Sequence, residues 1–381
     1  MDRIFSSALR TIQCSAESDG GSMGTLRTLF AISVVFAHTI GYVFVGGRNA
    51  VELFYMISGF LISYVLVEKK VYSNIKSFYI NRYLRLYPIY VVVALLTLVG
   101  LTVAALALKE DVAFFSVYQR APLAANALLV FSNLTLFLQD WVLFSGVEHG
   151  QLVFSANFKT SDVVLWEGLL VPQAWTLGVE LSFYLIAPFV LFRRKLLLVL
   201  LSLSILVRIY LIYIGLGAQD PWDYRFFPAE LALFLLGALS HQVLMPIYRS
   251  RFSRDHIDRL SALSTYFLIS ITLTFWLIPL PEKLKSVALF AVFLTLMPLT
   301  FLFQSRRTWD KRIGELSYPV YICHMLVIHV LNFLMPRFAI ESVIAEGLAA
   351  VVLSICFSIL LNKYIGDPVE GLRDKLRARP R

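Results

Sequence analysis

The chain has 381 residues, of which 58% are hydrophobic and 15% charged, and its mean hydropathy is +0.73. A water-soluble domain carries nearer ~25% charged residues, so the composition excludes a soluble enzyme and indicates a polytopic membrane protein. The net charge of +9 does not indicate nucleic-acid binding, because the basic residues fall between apolar segments, where they set orientation in the bilayer.

Residues 1–25 precede the first apolar run. They contain Arg3, Arg10 and the polar stretch "SAESDGGSMG", and they lack the basic start, apolar core and small-residue cleavage site of a secretory signal. We expect a disordered cytoplasmic leader. The three cysteines are too few and too scattered for a disulfide framework or a metal cluster, so we predict no metal site.

The rest of the chain is a series of apolar runs. A bilayer core of ~30 Å needs ~20 mostly apolar residues in a helix, and ten runs meet this criterion. The sequence therefore predicts an all-α integral membrane protein of about ten transmembrane helices. The predicted spans are 26–46, 50–68, 84–108, 174–192, 196–216, 227–246, 261–280, 284–303, 314–335 and 341–361.

Every second connecting segment is basic, as cytoplasmic loops are. This pattern predicts both termini in the cytoplasm, a transmembrane domain over 26–362 and a basic cytoplasmic tail over 363–381. A further apolar run at 121–138 would place the "RRK" of residues 193–195 outside if it crossed. We therefore expect 109–173 to be one long outer excursion in which 121–138 is a re-entrant or interfacial helix.

The first span carries two ionisable residues, Arg27 and His38. They are eleven residues apart, which places them on one helix face about 16 Å apart in height. An ionisable group in a spanning helix costs roughly 2.5–3.5 kcal/mol and suggests function. Arg27 alone also fits a positive-inside anchor, and His38 alone fits a hydrogen bond to a neighbouring helix.

The next two spans add acidic and basic residues. Glu52 lies at the outer end of the second span, where it is either functional or simply hydrated. Ser58 and Gly59 favour close helix packing. Arg82 and Arg85 are three residues apart on one face before the third span; they are either positive-inside charge or a phosphate clamp, since guanidinium groups bind phosphate bidentately.

The fourth span places Glu180 on one face with Thr176 and Tyr184, four residues to either side. A buried carboxylate needs a partner, and Arg208 in the fifth span is one candidate.

The ninth span places Ser317, Tyr321 and His324 on one face at spacings of four and three residues. His324 is thereby predicted to lie at about mid-depth, like His38.

Six motifs follow one another along the chain. They are Arg27 with His38, then "VELFYMISGFL", "FYINRYLRLYP", "WTLGVELSFYL", "FFPAELALFLLGAL" and "GELSYPVYICH". In this order they resemble the membrane-bound acyltransferase-3 family, whose members O-acetylate bacterial surface and secreted glycans. The resemblance extends from about residue 24 to about residue 370.

The resemblance implies a multi-pass protein of the bacterial inner membrane that uses cytoplasmic acyl-coenzyme A as donor and a glycan or glycolipid as acceptor. Acetyl is the expected acyl group, with succinyl next. His38 would be the catalytic histidine and Arg27 its motif partner, Arg82 and Arg85 would face the donor, and Glu180 and Tyr184 match the "WSLxxExxFY" signature. Membrane lipids are expected partners; a homo-oligomer and a glycan-assembly complex are both left open.

The chain departs from the family pattern at two positions. Only one carboxylate, Glu180, follows the "WTL" triplet, where many relatives carry an acidic pair. Glu52 stands where aspartate is common. Both departures concern contacts to the acceptor.

A mechanism follows for sugar O-acylation. A neutral histidine accepts a proton near pH 7, so His38 is the predicted general base. Glu52, Trp175, Tyr184 and Tyr321 are the predicted substrate-binding residues, although Trp175 also fits the aromatic belt of a membrane interface. His324 would either donate to the oxyanion or brace its helix.

Two readings from other classes compete with an acyltransferase. A transporter or permease of a lipid-linked sugar would also bury charges along a substrate path. A structural partner in a glycan-assembly complex would need neither Arg27 nor His38.

Overall fold

The computed structural model describes residues 23–109, 111–338 and 342–377. The predicted leader up to residue 22, and the last residues of the predicted tail, 378–381, lie outside the described residues. Within them the chain forms the helices α1 (Gly24–Ala37), α2 (Gly46–Ser63), α3 (Ile75–Leu106), α4 (Ala113–Arg120), α5 (Leu123–Thr135), α6 (Trp175–Val190), α7 (Arg194–Tyr213), α8 (Phe227–Leu239), α9 (Met245–Arg251), α10 (Arg254–Thr274), α11 (Glu282–Gln304), α12 (Thr308–Leu334), α13 (Val343–Leu361) and α14 (Asp367–Asp374).

Short π-helical and 3-10 segments extend or connect these helices. The π-helical segments are Tyr64–Glu68, Ser240–Leu244 and Asn362–Gly366, and the 3-10 turns are Trp141–Phe144, Leu165–Gly168, Pro172–Ala174, Leu216–Ala218, Phe275–Leu277 and Met335–Phe338. One antiparallel hairpin, β1 (Ser145–Glu148) and β2 (Gln151–Phe154), pairs Ser145 with Phe154.

The prediction of an all-α polytopic membrane protein is confirmed. Eight helical stretches of the described chain are long and apolar enough to cross a membrane, and each of the ten predicted spans overlaps a helix. The two remaining predicted spans correspond to the shorter helices α1 and α6.

The first span was predicted wrongly at its end. It was expected to run to residue 46, but α1 ends at Ala37 and His38 follows it as the capping residue. The chain turns because Gly41 has φ +104° and Gly46 has φ +74°, backbone conformations that glycine adopts without steric cost. His38 therefore lies in a connection between α1 and α2 and not within a continuous helix.

The helices α1 and α12 run parallel in a fixed register. At their beginning, a Cβ atom on Gly24 would lie 2.0 Å from the carbonyl oxygen of Asp310 and 2.7 Å from the Cα of Gly314, so only glycine permits this approach. Counted from Gly24 and Asp310, the same number of residues further along each helix, the rings of His38 and His324 lie 5.2 Å apart. We call the two ends of the bundle the Arg27 end and the His38 end.

The helices α2 and α8 form a second parallel pair. A Cβ atom on Gly59 would lie 1.9 Å from the carbonyl oxygen of Phe234, and one on Gly237 would lie 2.0 Å from that of Met56. Ser63, just before the π-helical turn that follows α2, bonds His241 just after α8. Close backbone approach at small residues is the usual way in which membrane helices associate.

These directions bear on the segment 121–138. Successive transmembrane helices cross the membrane in opposite directions. Two of them therefore run parallel only if their positions in the order of spans differ by an even number. The ten predicted spans make α1 and α12 the first and ninth, which agrees with their parallel packing. One further crossing between them would make them antiparallel, and α5 has only 13 residues, fewer than a span needs. Where α5 lies in the membrane stays a prediction.

The predicted tail begins as helix and packs on the bundle. The π-helical turn Asn362–Gly366 continues α13 into α14. The side-chain amide of Asn81, on α3, donates to the carbonyl oxygen of Arg373 over 3.2 Å. The start of the tail is therefore part of the folded domain at the Arg27 end.

The carboxylate of Asp310 holds the beginning of α1. It accepts hydrogen bonds from the backbone N–H of Gly24 (2.7 Å) and from the N–H and hydroxyl of Thr25 (2.9 and 2.6 Å). We expect Asp310→Ala to lower the free energy of unfolding by about 2 kcal/mol, because buried charge-assisted bonds to a helix start are lost. The thermal unfolding midpoint of the purified protein in detergent measures this change.

Asp258→Ala is the matched control. Its carboxylate bonds Arg306 at 2.7 Å, but both side chains are more than half exposed, and such pairs contribute about 0–1 kcal/mol. Equal midpoints for the two variants would contradict a special role for Asp310.

Candidate functional site

Six of the residues predicted from the sequence line one cavity. It lies between α1, α2, α3, α6 and α12, and together with the solvent space at its mouth its empty volume is about 750 Å³. The predicted residues in its wall are Arg27, Arg82, Arg85, Glu180, Tyr184 and Tyr321. We call it the central cavity. Its wall therefore combines basic, acidic and aromatic side chains drawn from four different sequence motifs.

Glu180 is held by hydroxyl groups and not by the arginine that we considered. Its carboxylate accepts a hydrogen bond from Ser58 at 2.7 Å and another from Tyr184, one turn along α6. Arg208 instead bonds Glu52 and Glu230. The sequence identified the need for a partner, but hydroxyls on α2 and α6 meet it locally.

The two arginines of α3 differ in their surroundings. Arg82 is buried and donates to the hydroxyl of Tyr72 at 2.7 Å and to the side chain of Asn81 at 3.2 Å. Arg85 lines the central cavity and makes no hydrogen bond or ion pair with any described residue. A guanidinium group in this position can bind an anionic ligand in two-pronged geometry.

His38 and His324 lie side by side at the His38 end. Their rings are 5.2 Å apart and inclined by 37°. His324 is fully buried, and its Nδ1 lies 2.6 Å from the carbonyl oxygen of Tyr321. Because a carbonyl only accepts, Nδ1 carries the proton, and Nε2 is left as an acceptor with no hydrogen-bond partner among the described residues.

Tyr321 stands between the central cavity and the two histidines. Its ring lies 5.8 Å from that of His324, and it lines the cavity on its other side. Its hydroxyl donates to the carbonyl oxygen of Gln173 (3.1 Å) and accepts from the hydroxyl of Thr176 (3.0 Å). Neither histidine lines the cavity, so the structure brings the predicted residues together as two groups separated by one aromatic ring.

Glu52 belongs to a chain of ion pairs at the His38 end. Its carboxylate is buried and lies 3.8 Å from the guanidinium of Arg48 and 3.3 Å from that of Arg208. Arg48 also bonds Asp223 at 3.0 Å, and Arg208 bonds Glu230 at 2.7 Å. Glu52 thus belongs to this series of ion pairs, and these pairs explain its buried charge without a bound acceptor.

Trp175 is buried and packs against an arginine. The guanidinium of Arg225 lies 4.4 Å from the centre of the Trp175 ring and 4.6 Å from that of Tyr224, and it bonds Asp220 at 2.5 Å. Arg225 also lies close enough to His38 for their charges to interact. Burial and a cation–π contact with Arg225 thus account for the position of Trp175 without placing it in the aromatic belt of a membrane interface.

Sequence reasoning missed several residues of this region. Arg48 is readable, because it precedes Glu52 by one helical turn. Arg225 lies just before the motif "FFPAELALFLLGAL" and Glu230 lies within it, yet nothing in their spacing indicates that Arg225 would lie close to His38. Nothing in the sequence indicates the role of Asp310, because it lies in a segment that contains many charged residues.

The ion-pair chain predicts a stability difference between two variants. Arg208→Leu leaves Glu230 buried without its cation, so we expect a loss of about 3–5 kcal/mol in the free energy of unfolding. The double variant Arg208→Leu, Glu230→Leu also removes the charge of Glu230, while Glu52 keeps Arg48 as a partner, and it should recover most of that loss. Thermal unfolding midpoints in detergent measure both effects, and a double variant less stable than the single one would contradict this account.

Asp140 lies in the connection after α5, outside the membrane spans, and packs against α6. A Cβ atom on Gly178 would lie 2.5 Å from its Oδ1, which has no hydrogen-bond partner among the described residues. Burial raises the pKa of this carboxyl to about 7, although backbone N–H groups partly oppose the shift. Asp140 is thus largely protonated below neutral pH.

A pH dependence of stability follows from this shift. Because the pKa is higher in the folded than in the unfolded chain, stability falls as pH rises from about 4 to about 7 and then levels off. Asp140→Asn removes this dependence. We expect the variant to unfold at a higher temperature than the wild type at pH 8 and to match it at pH 4; identical midpoints at pH 8 would contradict the buried acid.

Comparison with known proteins places the chain among acyltransferases. The acyltransferase domain of the acyltransferase-3 family matches residues 21–363. A curated protein of Aquifex aeolicus (strain VF5), named only as an uncharacterized protein, is 26% identical over 215 residues, which cover 54% of this chain and 90% of that protein. No solved structure shows a significant match.

Proposed function

Because the chain belongs to the acyltransferase-3 family and is a multi-pass membrane protein, we propose that it transfers an acetyl group from cytoplasmic acetyl-coenzyme A to a sugar hydroxyl of a cell-surface or secreted glycan. Acyl transfer is the activity of the family. The donor, the acceptor and the bacterial inner membrane as location are proposals. The observation that carries them is the pairing of His38 with His324 next to a cavity lined by arginines.

The donor is proposed to enter the central cavity from the Arg27 end. Arg85, which has no partner among the described side chains, and Arg82 are suited to bind its phosphates. Arg27 lies in the same wall. The pantetheine arm would then extend past Glu180 towards Tyr321, which closes the cavity beside the histidines.

His38 is the proposed general base. Its side chain is exposed at the His38 end, where an acceptor sugar can reach it. Arg225 lies close enough for its charge to act on His38, and Trp175 and Tyr224 pack against that arginine. His38 takes the proton of the sugar hydroxyl, the oxygen attacks the thioester carbonyl, and the coenzyme leaves as a thiol after receiving that proton. No net charge or electron is left over.

The tautomer of His324 gives it a specific part in this step. Its Nδ1–H is committed to the carbonyl of Tyr321, so Nε2 is an acceptor and not a donor. An acceptor beside His38 stabilises the imidazolium that His38 becomes when it takes the proton. This role replaces donation to the oxyanion, which would require His324 to be charged while fully buried.

A sugar permease is the competing function. The central cavity does not favour it, because arginines at one end and a closing tyrosine at the other fit a ligand that enters and leaves on the same side. Membranes incubated with labelled acetyl-coenzyme A distinguish the two functions: transfer of label to glycan supports acylation, and absence of both binding and transfer would leave the permease.

His38→Ala tests the proposal directly. The variant should fold and insert normally and lose at least about 10²-fold in acyl transfer, because the base is removed. Surface glycans extracted from a deletion strain that expresses each variant, examined by NMR for O-acyl signals, provide the measurement.

His149→Ala is the matched control, since His149 lies exposed in the turn between β1 and β2. It should retain full acylation. Acylation by His38→Ala at the level of this control would remove His38 from the mechanism.

A further inference from the structure

A second cavity at the Arg27 end adjoins the central cavity. It lies between α3, α12 and the segment that leads into and through α14, and together with the solvent space at its mouth its empty volume is about 710 Å³. Arg27, Arg85 and Tyr318 line both cavities. The two spaces are therefore neighbours, and at their junction lies the guanidinium of Arg85, which has no hydrogen-bond or ion-pair partner among the described residues.

The wall of the second cavity has a mixed charge. Arg373 adds a cation to those of Arg27 and Arg85, and Glu315 and Asp367 add carboxylates. A third carboxylate, Glu370, bonds Arg373. A simple phosphate would be repelled by the carboxylates, and a neutral chain would supply no anion to Arg85, which has no ion-pair partner among the described residues.

The helix α14 is coupled to the arginines of α3. Asn81 donates to the carbonyl oxygen of Arg373, and its own side-chain oxygen accepts from Arg82 at 3.2 Å. Arg377 adds a bond to Glu370 at 2.8 Å. These contacts hold the C-terminal segment as a fixed wall beside Arg82 and Arg85.

We propose that this second cavity is a nucleotide subsite, in which the C-terminal segment Asn362–Arg373 binds the nucleotide end of the acyl donor. A nucleotide matches the mixed wall, because its phosphates pair with guanidinium groups while its base amine and ribose hydroxyls donate to carboxylates. The inference rests on the proposed function, and it assigns to the C-terminal segment the recognition of the part of the donor farthest from the thioester.

Two variants and two ligands test the subsite by titration calorimetry on the full-length protein in detergent. Val369→Trp fills the cavity from α14, and Arg373→Gln removes a cation from its wall. Coenzyme A carries the nucleotide, whereas pantetheine lacks it. We expect both variants to weaken coenzyme A binding at least tenfold and to leave pantetheine binding unchanged.

Lys363→Ala is the matched control, because Lys363 lies exposed in the same segment but does not line the cavity. It should bind coenzyme A like the wild type, and a loss equal to that of the other variants would mean that charge in the segment acts at a distance and would overturn the subsite. The thermal unfolding midpoint of each variant shows whether α14 stays folded; if Arg373→Gln unfolds it, Val369→Trp decides.

The failure of the subsite and the failure of the proposed function look different. Suppose the wild-type protein binds coenzyme A. If neither Val369→Trp nor Arg373→Gln weakens this binding, or if the variants weaken the binding of coenzyme A and of pantetheine equally, the subsite is wrong and the function stands. If the wild type binds neither coenzyme A nor pantetheine, the donor itself is wrong and both proposals fall.

Discussion

The arrangement of the site depends on close backbone contact between parallel helices. Gly24 on α1 lies against Gly314 on α12, and Gly59 on α2 lies against the backbone of α8. Lipid tails are as apolar as leucine, so burying more apolar surface does not draw membrane helices together, and packing at small residues and polar contacts must do so. A shift of one residue along α1 would rotate His38 by about 100° around the helix axis. Register is therefore a chemical requirement as well as a structural one.

Buried charge at the His38 end is organised by the same constraint. Hydrocarbon cannot solvate ions, so each one must find a partner within the protein. The ion pairs run from Asp223 at the loop through Arg48, Glu52 and Arg208 to Glu230. Arg208 is contributed by α7, most of whose side chains face away from the bundle. The chain of charges thus fastens an outer helix to the pair formed by α2 and α8.

The spans were predictable because each is a continuous apolar run of membrane length. The end of α1 was not, because "IGYVFVGG" is as apolar as a helix, and only the backbone angles of Gly41 and Gly46 show that the chain turns. Site residues such as His38 and Glu180 were found because ionisable groups are costly inside apolar runs.

Partners could not be predicted in the same way, because they come from distant parts of the chain. Arg208 was considered as the partner of Glu180, and it bonds Glu52 and Glu230 instead. Asp310, which holds the beginning of α1, lies in a segment rich in charged residues, so its sequence position does not indicate a special role. Periodicity shows which face of a helix a residue occupies, but it does not show which helix that face meets.

Tyr321 lies between the two groups of site residues, those that line the central cavity and the pair of histidines. In the proposed reaction, a thioester in the central cavity would reach His38 past the Tyr321 ring, whose displacement would break two hydrogen bonds, each contributing about 1 kcal/mol. One bond goes to Gln173, in the turn just before α6, and the other to Thr176 at the start of α6, the helix that also carries Glu180. In that reaction the ring would separate donor from acceptor at rest, and its displacement would cost little compared with the binding energy of a large donor. Such a separation would keep water from the His38 end away from a bound thioester until the ring moved.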